Sequence, residues 1–447
     1  MRATVAGGLC LLALFIQSPA GTAWAQTADG ICGRTPQVQT AILEQIDGVS
    51  DCAAVTEEQL AAIRTLALQH TGSSSLLGRD FAGLTSLRRL DLSNNALVTL
   101  PSGLFHGLTS LQVLDLGVNG LASLSSDVFR GLTALYTLDL RHNALETLPR
   151  DSLQGLAALH TLTLSGNALS SLPPDVFRGL RVYTLSLSDN SLSMLPSGMF
   201  RGLTGLRALW LDDNDLVSLP SDLFRGLTAL GKLSLGNTGL TALPADMFAD
   251  LTSLRRLYLS GNALEKLPGD VFRGLTALEA LYLAHNDLAS LPSDLFRDLT
   301  ALRTLDLSSN DLEVLPEDLF HGLTALESLH LHFNPGYPLF EPTTTTIAEP
   351  RSAVPATSGL DPSFPNPFNS ATRIPYRLAA SGPVRLTIHA VSGQPVRTLV
   401  DGVQASGRYQ VSWDGRDREG VAVAAGVYLA RLNHPGSRQV RPLLLVK

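Results

Sequence analysis

The sequence predicts an α/β solenoid whose stacked repeats form one long parallel β-sheet, followed by a small all-β sandwich. A pattern of 24 residues returns through the centre of the 447-residue chain. Each copy contains an alternating Leu-x-Leu, which is typical of a short strand with one buried face. After residue 362 the pattern is replaced by short apolar runs separated by glycine turns. A hydrophobic content of 45% excludes disorder for the bulk of the chain.

Residues 1–25 have the features of a signal peptide. Arg2 precedes the apolar segment Leu9–Ile16, and Ala23-Trp24-Ala25 forms a small-x-small cleavage pattern. The mature chain is therefore expected to begin at Gln26 and to lack Cys10. No later apolar run reaches the roughly 18–20 residues needed to span a bilayer, so no transmembrane segment is expected in the mature protein.

Residues 26–62 are predicted to form a helical cap on the first repeat. Thr35-Pro36 is typical of a helix start, and Val38, Ile42 and Ile46 would share one face of that helix. The segment Thr56–Gln59 has the form of a capping box and predicts a second short helix.

The cap contains both cysteines of the mature chain, Cys32 and Cys52. Export would place them in an oxidising compartment, where a disulfide closing a loop of about 20 residues contributes about 3 kcal/mol. Two buried thiols are the alternative.

Residues 63–337 are predicted to be the repeats, with the pattern Leu-x-x-Leu-x-Leu-x-x-Asn-x-Leu-x-x-Leu-Pro-x-x-x-Phe-x-Gly-Leu-Thr. The first leucine of this pattern recurs at positions 87, 111, 135, 159, 206, 230, 254, 278, 302 and 326. Val182 takes its place in the fifth copy, which is one residue shorter. The pattern resembles the extracellular type of leucine-rich repeat from Leu87 to Asn334. This resemblance implies a horseshoe with a parallel sheet inside and an irregular convex side.

Three columns of the repeat have different predicted roles. The strand leucines point inward, as in Leu90-Asp91-Leu92, and each contributes about 1.5–3 kcal/mol when fully buried. The asparagine column is expected to satisfy backbone groups where the chain turns away from the strand, and Thr238, which replaces one asparagine, predicts a local weakness. The phenylalanine column predicts a core spine that Leu153 interrupts. The asparagines are Asn95, Asn119, Asn143, Asn167, Asn190, Asn214, Asn262, Asn286, Asn310 and Asn334, and the phenylalanines are Phe105, Phe129, Phe177, Phe200, Phe224, Phe248, Phe272, Phe296 and Phe320.

The outward strand positions are predicted to line the concave surface and to bind the ligand. Asp91, Asp115 and Asp139 form an acidic row in which like charges repel. The middle of the column is aromatic and is flanked by charges, a composition common in interaction hot spots. Drift at a tolerant position is the alternative explanation. The candidate ligand-binding residues are Trp210, Asp212, Asp213, Lys232, Arg256, Tyr258 and Tyr282.

Neither a cofactor nor an enzymatic activity is predicted, because the chain lacks the usual zinc-protease, phosphate-loop and nucleophile-elbow motifs. His330, His332 and Asp306 make a weak candidate for a divalent metal site. Histidines at a solenoid end without a metal are the alternative.

Residues 338–361 are rich in proline and threonine and predict an extended linker. Residues 362–447 predict a small antiparallel sandwich. The predicted strands are Thr372–Leu378, Val384–Val391, Val396–Val400, Tyr409–Trp413, Val427–Leu432 and Val440–Val446.

Four motifs of this tail carry a second resemblance: Pro365–Asn369, Trp413-Asp414-Gly415, Gly426-Val427-Tyr428 and the closing Leu443–Lys447. The tail resembles the FlgD-type immunoglobulin-like domain that serves as a type A C-terminal sorting domain of type IX secretion. The resemblance implies recognition by an outer-membrane translocon of a Gram-negative bacterium, and release or surface attachment of the cargo, commonly with cleavage of the tail.

The net charge of −7 combines an acidic body with a tail that carries eleven Arg or Lys against four Asp or Glu. Because phosphate backbones bind basic faces, nucleic acid is not expected as the partner. The sequence thus predicts a secreted or surface-exposed protein that recognises an extracellular protein or glycan, for example in adhesion. A passive spacer or surface-layer element is the alternative.

Overall fold

A computed structural model describes residues 31–316, 318–336, 355, 357–364, 366, 368 and 371–445. The predicted signal peptide and most of the predicted linker lie outside these residues. Neither α-helix of the described chain, Pro36–Leu43 (α1) and Glu57–Ala62 (α2), has the length or the hydropathy that crossing a membrane requires.

The two helices begin in different ways. The capping box predicted for α2 is confirmed, since Thr56 Oγ1 accepts from the backbone N–H of Gln59 and the Gln59 side chain accepts from the N–H of Thr56. At α1, Thr35 occupies the N-cap but makes no side-chain cap; its hydroxyl donates to Asp80 of the first repeat instead. Val38 and Ile42 are buried as predicted, whereas Ile46 lies beyond the end of the helix and is only partly buried.

A disulfide joins Cys32 to Cys52, as predicted. Beside it, Arg34 is only 8% exposed, and its guanidinium donates to the carbonyls of Asp80 at 2.7 Å and Ala82 at 2.6 Å. Burial lowers the pKa of Arg34 to about 10, and the neighbouring Asp80 carboxylate partly opposes that shift. The cap is therefore attached to the solenoid by a buried polar network as well as by apolar packing.

The repeats form a twelve-stranded parallel sheet in which each strand pairs with its sequence neighbours in unbroken order. Every strand has three residues, and the middle one is always a buried leucine. The strands are β1 Thr65–Ala67, β2 Arg89–Asp91, β3 Val113–Asp115, β4 Thr137–Asp139, β5 Thr161–Thr163, β6 Thr184–Ser186, β7 Ala208–Trp210, β8 Lys232–Ser234, β9 Arg256–Tyr258, β10 Ala280–Tyr282, β11 Thr304–Asp306 and β12 Ser328–His330. Between β1 and β12 the described chain forms turns and loops with no helix, which is the irregular convex side that was predicted.

The phenylalanine spine is stacked below the sheet. Consecutive rings lie 6.1 to 6.4 Å apart, almost parallel, from Phe177 through to Phe296. Leu153 interrupts the column as predicted, and the spine begins one repeat earlier than the pattern indicated, at Phe81, which stacks on Phe105. Because each ring within these stacks is covered by the next, each repeat is buried largely by its neighbours.

The asparagine column forms a ladder of side-chain hydrogen bonds between repeats, as predicted. Asn214 is representative. Its Nδ2 donates to Leu211 O in its own repeat at 2.9 Å and to Leu187 O in the preceding one at 3.0 Å, while its Oδ1 accepts from Leu192 N. These bonds satisfy backbone groups that the turn leaves unpaired inside the solenoid.

The C-terminal part forms two antiparallel sheets, which confirms the predicted small all-β sandwich. One sheet has the order β13-β14-β17 and the other β16-β15-β18-β19. The strands are β13 Gly359–Leu360, β14 Thr372–Leu378, β15 Gly382–Ala390, β16 Pro395–Gln404, β17 Gly407–Trp413, β18 Gly426–His434 and β19 Ser437–Leu445. Strand β13 falls within the segment predicted to be linker, where it pairs with β14.

Candidate ligand-binding face

The concave face is made by the residues on either side of the buried leucine of each strand. In β3, β4, β5 and β6 these flanking residues are partly exposed while the leucine is buried. Because the register never slips, residues at the same position of successive repeats lie side by side across the sheet, about 4.8 Å apart. Each column of the sequence pattern is therefore a physical row on this surface.

The aromatic residues of the predicted patch lie in one such row. Trp210, Ser234, Tyr258 and Tyr282 pair in register, and the rings of Tyr258 and Tyr282 are stacked with centroids 4.8 Å apart and planes 2° from parallel. Ser234 is the small residue between Trp210 and Tyr258. Ser234 is itself only 9% exposed, and the backbones that carry Trp210 and Tyr258 lie two strand spacings, about 9.6 Å, apart.

The charged residues of the patch differ in how they are held. The Asp212 carboxylate accepts from the Ser188 hydroxyl at 2.9 Å, and Asp213 accepts from Asn237 Nδ2 at 3.0 Å. Lys232 and Arg256 are exposed, and within the described residues neither forms an ion pair. The two cationic groups beside this row are thus available to an anionic partner, whereas the two carboxylates already have donors.

The acidic row is partly neutralised by the chain itself. Arg89 lies 3.7 Å from Asp91, and Arg141 lies 3.3 Å from Asp139. Asp115, between them, forms no ion pair with any described residue, and burial raises its pKa. The N–H of Gly117 lowers this pKa, the charges of Asp139 and Asp91 raise it further, and the charge of Arg141 lowers it. The repulsion in this row is therefore concentrated at Asp115.

The histidines at the end of the sheet do not converge with Asp306 on one point. His330 Nδ1 lies 3.5 Å from Asp306 Oδ2, and its Nε2 shares a hydrogen bond with Ser328 Oγ at 3.0 Å. The ring of His332 is tilted by 48° to that of His330 and lies against Phe333. In the described chain, the one group of three whose ligand atoms lie within 4.8 Å of one another is Cys32, Asp51 and Cys52, and its sulfurs form the disulfide.

The structure also reveals a second row that sequence reasoning missed. Tyr136 stacks on His160 with centroids 4.3 Å apart, His160 meets the edge of Tyr183 at 4.4 Å, and the Arg207 guanidinium lies 4.8 Å above the Tyr183 ring. Each of these residues directly follows the first apolar residue of its repeat, which is Val182 before Tyr183 and leucine in the others, so they border the concave face next to the start of the strands. Reading that position down the repeats as a column would have revealed the aromatic run.

Comparisons with known proteins match both parts of the chain. The family model described as Leucine rich repeat matches overlapping segments from residue 61 to residue 335. The model described as FlgD Ig-like domain matches residues 370–434. None of the curated protein sequences matches the chain.

Several solved structures are similar to the repeats. A leucine-rich repeat protein of Leptospira interrogans is 33% identical with a TM-score of 0.56, covering 63% of this chain and 69% of that one. Toll in the Drosophila Toll–Spatzle complex is 32% identical with a TM-score of 0.55, covering 59% of this chain and 35% of that one. The TLR13–ssRNA13 complex shows 26% identity and a TM-score of 0.54, with 62% and 41% covered. The chain thus spans about a third of the length of the Toll chain.

Proposed function

Because this chain belongs to the leucine-rich repeat family, we propose that it is a recognition protein that binds a protein ligand on its concave face. The observation that carries the proposal is the row Trp210–Ser234–Tyr258–Tyr282, in which Trp210 and the stacked pair Tyr258 and Tyr282 are partly exposed on either side of Ser234. The core does not depend on these side chains, since it is formed by the buried leucines on the opposite face of each strand. The row is therefore free to be specialised for binding.

A protein is favoured over a glycan by the composition of the patch. Aromatic side chains that are partly desolvated and bordered by unpaired cations are the usual composition of a protein–protein hot spot. One apolar side chain of the ligand would pack against the exposed parts of these rings, and an acidic side chain would meet Lys232 or Arg256. The similarity to Toll, whose solved structure is a complex with Spatzle, supports such a role.

The row can be tested by changing its side chains. Arrays of extracellular protein domains and of immobilised glycans are probed with the purified full-length mature protein. The affinity of the partner found in this way is then measured for the wild type and for variants. Ser234→Phe and the double variant Trp210→Ala, Tyr258→Ala are each expected to weaken binding about tenfold or more. Thr163→Phe, at the same strand position three repeats away, is the matched control. Unchanged affinity in both patch variants contradicts the proposal. Binding to glycans alone would mean that the ligand is a glycan and not a protein.

The proposal also includes export to the outer surface of a Gram-negative bacterium through residues 362–447, recognised by the type IX secretion machinery. It is supported by the FlgD Ig-like match, by the disulfide and by the signal-peptide pattern at residues 1–25. Mass spectrometry of the protein from the envelope and from the culture supernatant tests this part. A mature start at Gln26 is expected. The presence or absence of Lys447 in the isolated protein shows whether the tail has been cleaved.

A passive spacer remains the second candidate, since a long solenoid is a rigid body in its own right. Exchanging the outward strand residues among repeats while keeping every leucine separates the two roles. A spacer keeps its function after such an exchange, whereas a recognition protein loses its ligand.

A further inference from the structure

A solenoid leaves an open apolar surface at each end, where the terminal repeat has no neighbour. At the N-terminal end the helical cap covers it, with Val38, Ile42 and Leu60 joining the core of the repeats. At the other end the last repeat contributes Leu326, Leu329 and Leu331, which are nevertheless buried. Something must therefore cover that repeat as well, although the sequence contains no cysteine after Cys52 with which to form a disulfide-bonded cap.

The cover is the C-terminal sandwich. Val427 and Leu429 of β18 are 4% and 2% exposed and belong to the same apolar core as the leucines of the repeats. Val391, Val440 and Leu444 pack against that core from neighbouring parts of the same sheet.

Strand β18 is buried on both of its faces. Tyr428, Ala430 and Leu432 alternate with Val427 and Leu429 and point into the core of the sandwich itself. Because successive side chains of a strand point to opposite sides, the sandwich core and the contact with the solenoid use separate sets of residues. The docking face can therefore be altered without removing a residue from the core of the sandwich.

Polar contacts accompany the apolar ones. The Arg441 side chain donates to the carbonyl of Gly336, at the end of the repeats, and its Nε donates to Leu360 O at 2.9 Å. A Cβ placed on Gly393, in the turn between β15 and β16, would lie 3.7 Å from His321 Nδ1, so this turn also lies against the last repeat.

We propose that the C-terminal domain is the structural cap of the solenoid: its four-stranded sheet binds the last repeat, and the two parts stay together when the segment between them is cut. This role is independent of what the concave face binds. It implies that cleavage of the tail does not by itself separate the domain from the repeats. It also implies that separation exposes the apolar end of the last repeat.

The test uses the full mature chain with a protease recognition sequence inserted after residue 345. After cutting, the two fragments are expected to elute together from a sizing column at micromolar concentration. The double variant Val427→Asp, Leu429→Asp is expected to elute as two species after cutting. Val403→Asp, on the same sheet but 79% exposed, is the matched control and is expected to stay associated.

Hydrogen exchange on the uncut variants shows whether the sandwich is still folded. In the double variant, amides of Ser328–His330 are expected to exchange about tenfold to a hundredfold faster, because apolar burial on the last repeat is lost. Amides of Thr372–Leu378, in the three-stranded sheet of the sandwich, should keep their protection. If the wild-type fragments separate on cutting with both still protected, or if exchange at Ser328–His330 does not change, the proposal is overturned.

Discussion

The hydroxyl of Thr238 lies 2.8 Å from Oδ1 of Asn262, and this is the rung of the asparagine ladder in which threonine stands in for asparagine. Thr238 Oγ1 also lies 3.0 Å from Leu235 O, but a hydroxyl has one proton and can donate to only one acceptor at a time. Asparagine at this position would offer two donors, and the second would reach back to Leu211 O, as the equivalent Asn214 reaches Leu187 O. The ladder is thus thinnest between the repeats that contain Asn214 and Thr238.

We expect Thr238→Asn to stabilise the protein by about 1 kcal/mol, because it adds one hydrogen bond inside the solenoid. Urea unfolding monitored by circular dichroism measures the change. Thr276→Asn, at an exposed position, is the control and should leave the midpoint unchanged. A loss of stability in Thr238→Asn would mean that the buried site is shaped for threonine and that no rung is missing.

We expect Asn262→Ala to destabilise the protein by about 2–4 kcal/mol, since it removes several partners of buried backbone groups at once. Oδ1 of Asn262 accepts from the N–H groups of Thr238 and Leu240, and Nδ2 donates to Leu235 O and Leu259 O. The loss should appear in hydrogen exchange as faster opening around these residues.

The control for that variant is Asn237→Gly. Asn237 is exposed, makes a single side-chain bond to Asp213, and has a φ of 52°, which glycine adopts without strain. Its effect should remain below about 1 kcal/mol. Equal effects of the two variants would contradict the role given to the ladder.

Asp115 makes the stability depend on pH. Its folded-state pKa is raised above the ordinary value of 3.8, mainly by burial, so the folded state binds a proton more readily than the unfolded chain. Stability is therefore expected to fall as the pH rises from 3.8 through the higher folded-state pKa, and the penalty is fully present above it.

Asp115→Asn should remove this penalty and raise the melting temperature at pH 7 by an amount equivalent to about 0.5 kcal/mol, with little change at pH 3. The asparagine oxygen can still accept from the N–H of Gly117. Asp151→Asn, at an exposed position on the convex side, is the control. A melting temperature that drops at pH 7 would show that the carboxylate is favourable where it stands.

The Cys32–Cys52 disulfide should stabilise the N-terminal cap rather than the whole solenoid. Replacing both cysteines by serine is expected to cost about 3 kcal/mol, measured as lost amide protection in Pro36–Leu43 and Thr65–Ala67. Protection in Arg256–Tyr258, eight strands away, should not change, because each repeat contacts only its neighbours. Equal loss in both regions would mean that the array unfolds as one unit.

Much of the fold could be predicted because the repeat fixes the role of each position. The leucines, the asparagine ladder and the phenylalanine spine follow from columns that recur every 24 residues. Strand Thr372–Leu378 was predicted with its observed bounds because its apolar residues alternate between turn signals. The bond from Thr35 to Asp80 could not be predicted, because residues distant in sequence meet there without any periodic signal.

The sequence contains a signal for the docking of the C-terminal domain, but this signal can be interpreted only when the fold is known. Gly426–Ala430 is apolar without alternation, which indicates a strand buried on both faces. Sequence alone does not say that the second face meets the last repeat, at strand Ser328–His330. The aromatic row from Tyr136 to Tyr183 was missed for another reason. Its residues precede the strands, where the alternation of leucines does not indicate which way a side chain points.

The unbroken register of the parallel sheet has a consequence for how such a gene can change. Recombination that duplicates or deletes one unit of 24 codons inserts or removes one strand, about 4.8 Å of sheet, and leaves both sealed ends intact. The number of repeats can therefore differ between related proteins without a change in the pattern of core residues. The distance between any two surface features is set simply by the number of units that separate them.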